Sequence, residues 1–166
     1  MHHELLNIRS GGMSEAFACR LHQNPASIPE MIDQIKSSNP MVAWRAAWIL
    51  DKLAEKHAAS LLPHHSQLVD LLKETQSNGV RRHLTRILGN NPSKACEDGK
   101  LVDLCLEWIL LPKIPVAVKA NAMLLMLGIC KIYPDLIHEL RLAIEAGLEE
   151  GSPGYKSRAK KVLQKL

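Results

Sequence analysis

A short pattern occurs four times along the chain and constrains its fold more than any other feature. The four segments align on one anchor position, occupied by Val42, Val80, Val116 and Tyr155. A basic residue stands three positions after each anchor: Arg45, His83, Lys119 and Arg158. An aliphatic pair begins four positions after each basic residue: Ile49-Leu50, Ile87-Leu88, Met123-Leu124 and Val162-Leu163. Because the anchors recur every 36 to 39 residues, the pattern indicates stacked helical pairs.

The composition and the hydrophobic periodicity favour an all-α fold. Hydrophobic residues make up 46% of the 166 residues but aromatic residues only 4%, and such a core suits helix-on-helix packing. Apolar residues between the anchors recur at i, i+3, i+4 and i+7, whereas no stretch alternates with period two. We predict a flexible lead over residues 1–13 and a single domain over residues 14–166.

Helix-start signals divide the domain into alternating first and second helices. Asn39-Pro40 and Ser152-Pro153 each place a capping residue before a proline, and Ser27 with Glu30 forms a capping box. First helices are predicted over 14–23, 40–56, 79–89, 114–131 and 153–165. Second helices are predicted over 27–37, 64–76, 98–111 and 134–149. Stacking of these pairs predicts a right-handed α-α superhelix of about four helical pairs, with the last first helix as a half-repeat cap.

The repeated segments resemble HEAT or armadillo-type repeats. Asn39-Pro-x-Val42 precedes an Ala-Ala pair and a leucine, and Asn78-Gly-Val-Arg81 is similar to the HEAT signature of Asp or Asn before Val-Arg. The resemblance covers about residues 27–166 and implies an α-solenoid. This shape serves scaffolds, transport factors and DNA-repair enzymes, so the resemblance implies no single function.

An unusual aromatic and acidic stripe lies on the predicted helix 40–56. Trp44, Trp48, Asp51 and Glu55 share one side of that helix, away from its main apolar face. In the next repeat, arginines occupy the positions equivalent to the two tryptophans. Either the indoles pack between neighbouring first helices with the arginines over them, or the stripe is exposed and binds a ligand. The predicted binding residues are Trp44, Trp48, Asp51, Arg82 and Arg86.

The basic residues of the repeat also allow two interpretations. Stacking would align Arg45, His83, Lys119 and Arg158 in a ladder along the repeats. In a structural role, the ladder bonds carbonyls or acids at the ends of adjoining helices. In a binding role, the same residues together with Lys161 contact the phosphates of a nucleic acid. The net charge of +4 permits a polyanionic partner without requiring one.

A further resemblance is to HEAT-like DNA glycosylases that remove alkylated bases. Those enzymes line a basic groove with tryptophans and an aspartate, and the resemblance would assign those roles to Trp48, Asp51 and Trp108. It implies nucleic-acid binding as the alternative function of this chain.

No catalytic, cofactor or metal motif accompanies these features. The chain lacks phosphate-binding glycine loops and nucleophile or zinc-protease signatures. His57, His64 and His65 have no Cys or Glu at ligand spacing and predict an exposed turn instead of a metal site. The four cysteines form no C-x-x-C pair, which favours reduced thiols in a cytoplasmic protein.

The longest apolar stretch, residues 120–132, is too short to cross a bilayer, so we expect no membrane association. Together these observations predict a non-catalytic HEAT-like interaction module or scaffold, without cofactors, that binds a protein or peptide. The alternative is a nucleic-acid-binding protein related to the repair glycosylases.

Overall fold

A computed structural model describes all 166 residues, and every regular element in it is helical. The α-helices are α1 (His2–Leu5), α2 (Gly11–Gln23), α3 (Ile28–Asp33), α4 (Pro40–His57), α5 (His65–Glu74), α6 (Asn78–Asn90), α7 (Gly99–Leu110), α8 (Val116–Cys130), α9 (Ile137–Ala146) and α10 (Pro153–Leu163). Short 3-10 turns precede or follow several of them. The prediction of an all-α fold built from alternating first and second helices is confirmed.

The residues group into two compact units, Met1–Ile87 and Leu88–Leu166. In the first unit, α2 and α3 both pack on α4. In the second unit, α7 and α10 both pack on α8, and α9 packs against α7 and α8. Each unit therefore contains first helices in contact with one another and second helices beside them. The single domain over residues 14–166 stays a prediction.

The first thirteen residues, for which a flexible lead is predicted, contain α1 and the beginning of α2. Leu5 is fully buried and Ile8 is nearly so. The Arg45 guanidinium donates from Nη1 to the Leu5 carbonyl at 3.0 Å. Side-chain burial and this hydrogen bond thus connect the segment around Leu5 to α4.

Two of the predicted helix caps are confirmed and one is wrong. The Asn39 side chain accepts the Met41 N–H at 3.0 Å, and the Ser152 hydroxyl accepts the Tyr155 N–H at 3.3 Å. Ser27 makes no capping hydrogen bond, because its backbone is already helical and its hydroxyl accepts from the Asn24 amide at 2.9 Å. A capping residue needs an extended backbone to reach the free N–H groups of the first turn.

The repeated apolar positions form most of the core. The aliphatic pairs in α4 and α6, Ile49-Leu50 and Ile87-Leu88, are at most 1% exposed. In the second unit, Met123 and Val162 are buried, while the residues after them are half-buried. The anchor Val116 is exposed because it is the first residue of α8. No helix combines the length and the hydrophobicity needed to cross a membrane.

The exposed turn predicted for His57, His64 and His65 is wrong at His65. This residue begins α5 and is 1% exposed, because it shares a helix face with the buried Leu68 and lies one turn before it. Burial lowers the pKa of His65, and the neighbouring His64 lowers it further. No three His, Cys, Asp or Glu side chains come together as a metal site.

Candidate functional site

Two stacked tryptophans lie where α4 faces α6. Trp44 and Trp48 are one turn apart on α4, with ring centroids 5.4 Å apart and an interplanar angle of 17°. Gly79 of α6 lies directly behind the first indole, since a Cβ at that position would come within 2.8 Å of Trp44 Cδ1. Trp44 is nevertheless 37% exposed, whereas Trp48 is half-buried. The Trp44 indole therefore contacts Trp48 and α6 while part of it remains exposed to solvent.

A buried carboxylate connects the same two helices one turn further along. Asp51 is 1% exposed, and its Oδ2 accepts from His83 Nδ1 at 2.8 Å and from Arg86 Nη1 at 3.2 Å. Because an ionised carboxylate only accepts hydrogen bonds, Nδ1 of His83 carries a proton. A buried charge needs such partners to offset the loss of hydration, and both partners come from α6.

The network extends from Asp51 toward the surface through alternating charges. Arg86 also donates from Nη2 to Glu55, which is paired with Lys52 at 2.9 Å. Burial alone would raise the pKa of Glu55, but the Lys52 hydrogen bond and the Arg86 charge outweigh it and lower the pKa. Lys52 further contacts Glu15 of α2 at 3.6 Å. Side chains from three first helices thus stabilise one another electrostatically.

The five predicted binding residues form two groups, one at the surface and one in the charge network around Asp51. Trp44 and Arg82 lie at the surface, and Trp48 is half-buried behind Trp44. Asp51 and Arg86 belong to the charge network. Sequence reasoning missed Gly79, whose only signal was a glycine in the first turn of α6, one repeat after the tryptophans.

Comparison with known protein families supports the repeat architecture. A family model described as a HEAT repeat domain matches residues 3–166. The chain belongs to the HEAT repeat family. No curated protein and no solved structure gives a significant match. In HEAT repeats, each helical pair completes its core against its neighbours, and the stacked pairs commonly present a binding surface.

The basic ladder of this HEAT repeat protein has mainly internal contacts. Arg45 is 9% exposed and bonds the Leu5 carbonyl, while its Nε has no hydrogen-bond partner. His83 bonds Asp51, as described above. The Lys119 ammonium lies 5.6 Å from the Tyr155 ring centroid, and burial lowers the pKa of Lys119. Arg45 thus contacts a carbonyl at the end of α1, and His83 contacts an acid in the interior of α4.

The remaining candidate phosphate contacts belong to the last HEAT helix, α10. Arg158 is half-buried there and Lys161 is exposed. Of the three residues that the glycosylase resemblance would assign, Trp48 is half-buried, whereas Asp51 and Trp108 lie inside the protein. Asp51 is engaged with α6, and Trp108 is 3% exposed. Neither side chain faces solvent in the way that contact with a DNA base requires.

Tyr155 is a second feature that the sequence did not predict, although it occupies a repeat anchor. It is 3% exposed, and its hydroxyl donates to the Ile144 carbonyl at 2.9 Å. A Cβ on Gly147 would collide with that hydroxyl. Burial raises the pKa of Tyr155. This tyrosine therefore links α10 to the end of α9 within the second unit.

Proposed function

We propose that this HEAT repeat protein is a non-catalytic interaction module that binds a protein or peptide segment. Its binding site in this proposal is the aromatic surface, defined as Trp44, Trp48 and Arg82. Asp51 and Arg86 support that surface from within the α4–α6 contact.

The exposed indole of Trp44 is the observation that carries the proposal. Tryptophan and arginine are enriched among residues that contribute most to binding, because they offer a large contact area in few conformations. Trp44 is 37% exposed, and Met41, one turn before it on α4, is 50% exposed. Arg82 is exposed on α6. A partner that covered these side chains would remove apolar area from water next to a cation.

Rigid support makes this surface better suited to binding than a lone exposed tryptophan. Trp48 stacks on one side of Trp44, and Gly79 leaves room for the indole against α6. The Asp51 network then holds α6 in place relative to α4. Because the ring is already ordered, little conformational entropy is lost when a partner binds.

Selection from a random peptide library on the immobilised full chain tests the proposal. The affinities of the selected peptides are then measured by fluorescence anisotropy. We expect Trp44→Ala to weaken them by about tenfold or more, which is typical of a dominant contact residue. Arg82→Ala is expected to weaken them by a smaller factor.

Leu62→Ala is the matched control, because Leu62 is a 47% exposed apolar residue of the same unit outside the aromatic surface. It should leave the affinities unchanged. Urea denaturation of each variant checks that folding is preserved. Peptides that bind Trp44→Ala and Arg82→Ala as tightly as the wild type would refute the proposal.

The distribution of basic residues favours nucleic-acid binding as the second candidate. Helices α6 and α10 contain no acidic residue, although each contains at least three Lys or Arg residues. Lys160 and Lys161 of α10 are exposed. Titration of a labelled DNA duplex at about 50 and 200 mM salt separates the candidates. If several phosphates are contacted, the affinity should fall tenfold or more between the lower and the higher salt concentration. Lys161→Ala would then reduce the slope of log affinity against log salt concentration by about one. Absence of DNA binding at both salt concentrations would eliminate this candidate.

A further inference from the structure

Helices α7 and α9 pack side by side in the second unit, and an open trough runs between them. Val102, Leu106 and Leu110 are spaced four residues apart and form the α7 side of it. Glu139 and Leu142 line the α9 side. Two adjoining cavities of about 340 and 310 Å³ make up this α7–α9 trough, and Glu139 borders both. Val102 and Leu110 are eight positions apart, which corresponds to about 12 Å, or two turns of a bound helix.

One end of the α7–α9 trough is apolar and open to water. Leu110 is 50% exposed and Leu142 is 53% exposed, and both border the 310 Å³ cavity with the half-buried Leu106. Single exposed leucines are common on protein surfaces, but adjoining ones around a concavity are typical of binding grooves.

The other end of the trough is acidic. Glu97, Asp103 and Glu139 are exposed and border the 340 Å³ cavity, and no Lys, Arg or His borders either cavity. Tyr133 lies at the same end, 43% exposed, and its hydroxyl donates to Glu97 at 2.7 Å. Carboxylates and the face of an aromatic ring both attract a cationic side chain.

We propose that the α7–α9 trough binds an amphipathic helix of a partner protein that carries Lys or Arg at one end. Leucine-sized side chains three or four residues apart enter the space bordered by Leu106, Leu110 and Leu142. The basic end lies over Asp103 and Glu139. The apolar half contributes most of the affinity, and the acidic half selects the charge and the direction of the bound helix.

The α7–α9 trough shares no residue with the aromatic surface. This inference specifies the chemistry of the partner, which the first proposal leaves open. The two proposals belong to the same general activity, protein interaction, but they can fail separately. Variants in each surface therefore serve as controls for the other.

Synthetic peptides of about 15 residues, long enough to form a helix, test the proposed partner chemistry. All carry the same leucine face; one has lysines at its N-terminal end, one has lysines at its C-terminal end, and matched versions have glutamates instead. Fluorescence anisotropy with the full chain at about 150 mM salt gives their affinities. We expect one of the lysine peptides to bind about tenfold tighter than its glutamate counterpart.

Substitutions in the trough then locate the binding site. Leu142→Asp should lower the affinity for the tighter-binding lysine peptide by about tenfold or more, because it places a charge against the leucine face of the peptide. Asp103→Lys should reduce the preference for lysine over glutamate. Both residues are exposed, so the fold should tolerate the changes, and circular dichroism checks that it does.

Four outcomes would overturn the inference. The first is that no peptide binds at concentrations up to about 1 mM, which would mean negligible affinity. The second is that the lysine and glutamate peptides bind equally, and the third is that Leu142→Asp retains full affinity. The fourth is that Trp44→Ala abolishes binding, which would place the peptides on the aromatic surface and support the first proposal instead.

Discussion

The same repeat position is stabilised by different chemistry in the two units. In the first unit, the basic residue of α6, His83, lies against the buried carboxylate of Asp51. In the second unit, the basic residue of α8, Lys119, lies over the ring of Tyr155. The repeat thus determines the spacing of the helices, while the side chains opposite each basic residue determine how neighbouring first helices are held.

The two kinds of contact differ in how they contribute to stability. The buried Asp51 carboxylate gains attraction from His83 and Arg86 but loses hydration, so the net contribution of this contact is small while removal of one partner is costly. A buried aromatic ring contributes through apolar area and packing, with one hydrogen bond added. Substitutions that remove only a charge or hydrogen bond and substitutions that remove side-chain volume should therefore affect the stability of the two units differently.

Loss of the Tyr155 ring should have the largest effect. Tyr155→Ala removes a 3% exposed aromatic side chain and should lower the free energy of unfolding by about 4 kcal/mol. Tyr155→Phe keeps the ring and removes only the hydrogen bond to the Ile144 carbonyl, so it should cost about 1 kcal/mol. Urea denaturation measures both. Equal losses in the two variants would mean that the hydroxyl, not the ring, stabilises the second unit.

Loss of the Asp51 carboxylate should come next. Asp51→Ala leaves His83 and Arg86 without their shared acceptor, and we expect a loss of about 3 kcal/mol, at the lower end for a buried pair because Arg86 reaches solvent. Asp70→Ala is the control: this exposed aspartate is paired with Lys73, and such surface pairs contribute at most about 1 kcal/mol. If both variants lost the same free energy of unfolding, the Asp51 network would stabilise the protein no more than a surface ion pair does.

Gly79→Ala should change the aromatic surface more than the stability. Its Cβ would come within 2.8 Å of Trp44 Cδ1, so the indole must move away from its stack with Trp48. Alanine also favours a helix over glycine by about 1 kcal/mol, which offsets the clash. The circular dichroism signal of the coupled indoles should fall, and peptide binding at Trp44 should weaken.

The control for this change is Gly12→Ala, because no atom lies within 4 Å of a Cβ added to Gly12. Its indole signal should match that of the wild type. An unchanged signal in Gly79→Ala would contradict the close contact between Trp44 and α6.

The smallest expected effects concern pH, and they occur at opposite ends of the scale. The pKa of Glu55 is lowered in the folded protein, so its contribution is present above the unfolded value of about 4.3 and is lost as pH falls through the folded pKa. The pKa of Tyr155 is raised, so its contribution is present below about 10 and is lost as pH rises through the folded pKa. The first unit is therefore expected to be sensitive to acid and the second to alkali.

Unfolding at a series of pH values checks these signs. The stability difference between the wild type and Glu55→Gln should shrink below about pH 4, and the difference from Tyr155→Phe should shrink above about pH 10. Differences that stay constant across these ranges would mean that neither group changes its pKa on folding.

The helices of this protein were predictable because their signals are local. Apolar periodicity and the caps at Asn39 and Ser152 act within one or two turns, and the predicted helices 40–56 and 153–165 agree closely with α4 and α10. The error at Ser27 is local as well, since the sequence did not predict that the preceding 3-10 turn makes its backbone helical.

By itself, the sequence determined the helical repeat and the residue types at each position, including the tryptophans, acids and arginines of the first unit. Only the tertiary structure decided which of them meet. Asp51 and His83 are 32 residues apart in sequence, and the exposure of Trp44 depends on how closely α6 approaches at Gly79. Leu110 and Leu142 likewise resemble ordinary helical leucines until α7 and α9 pack side by side. Contacts between distant helices depend on their packing distance and angle, which no local pattern encodes.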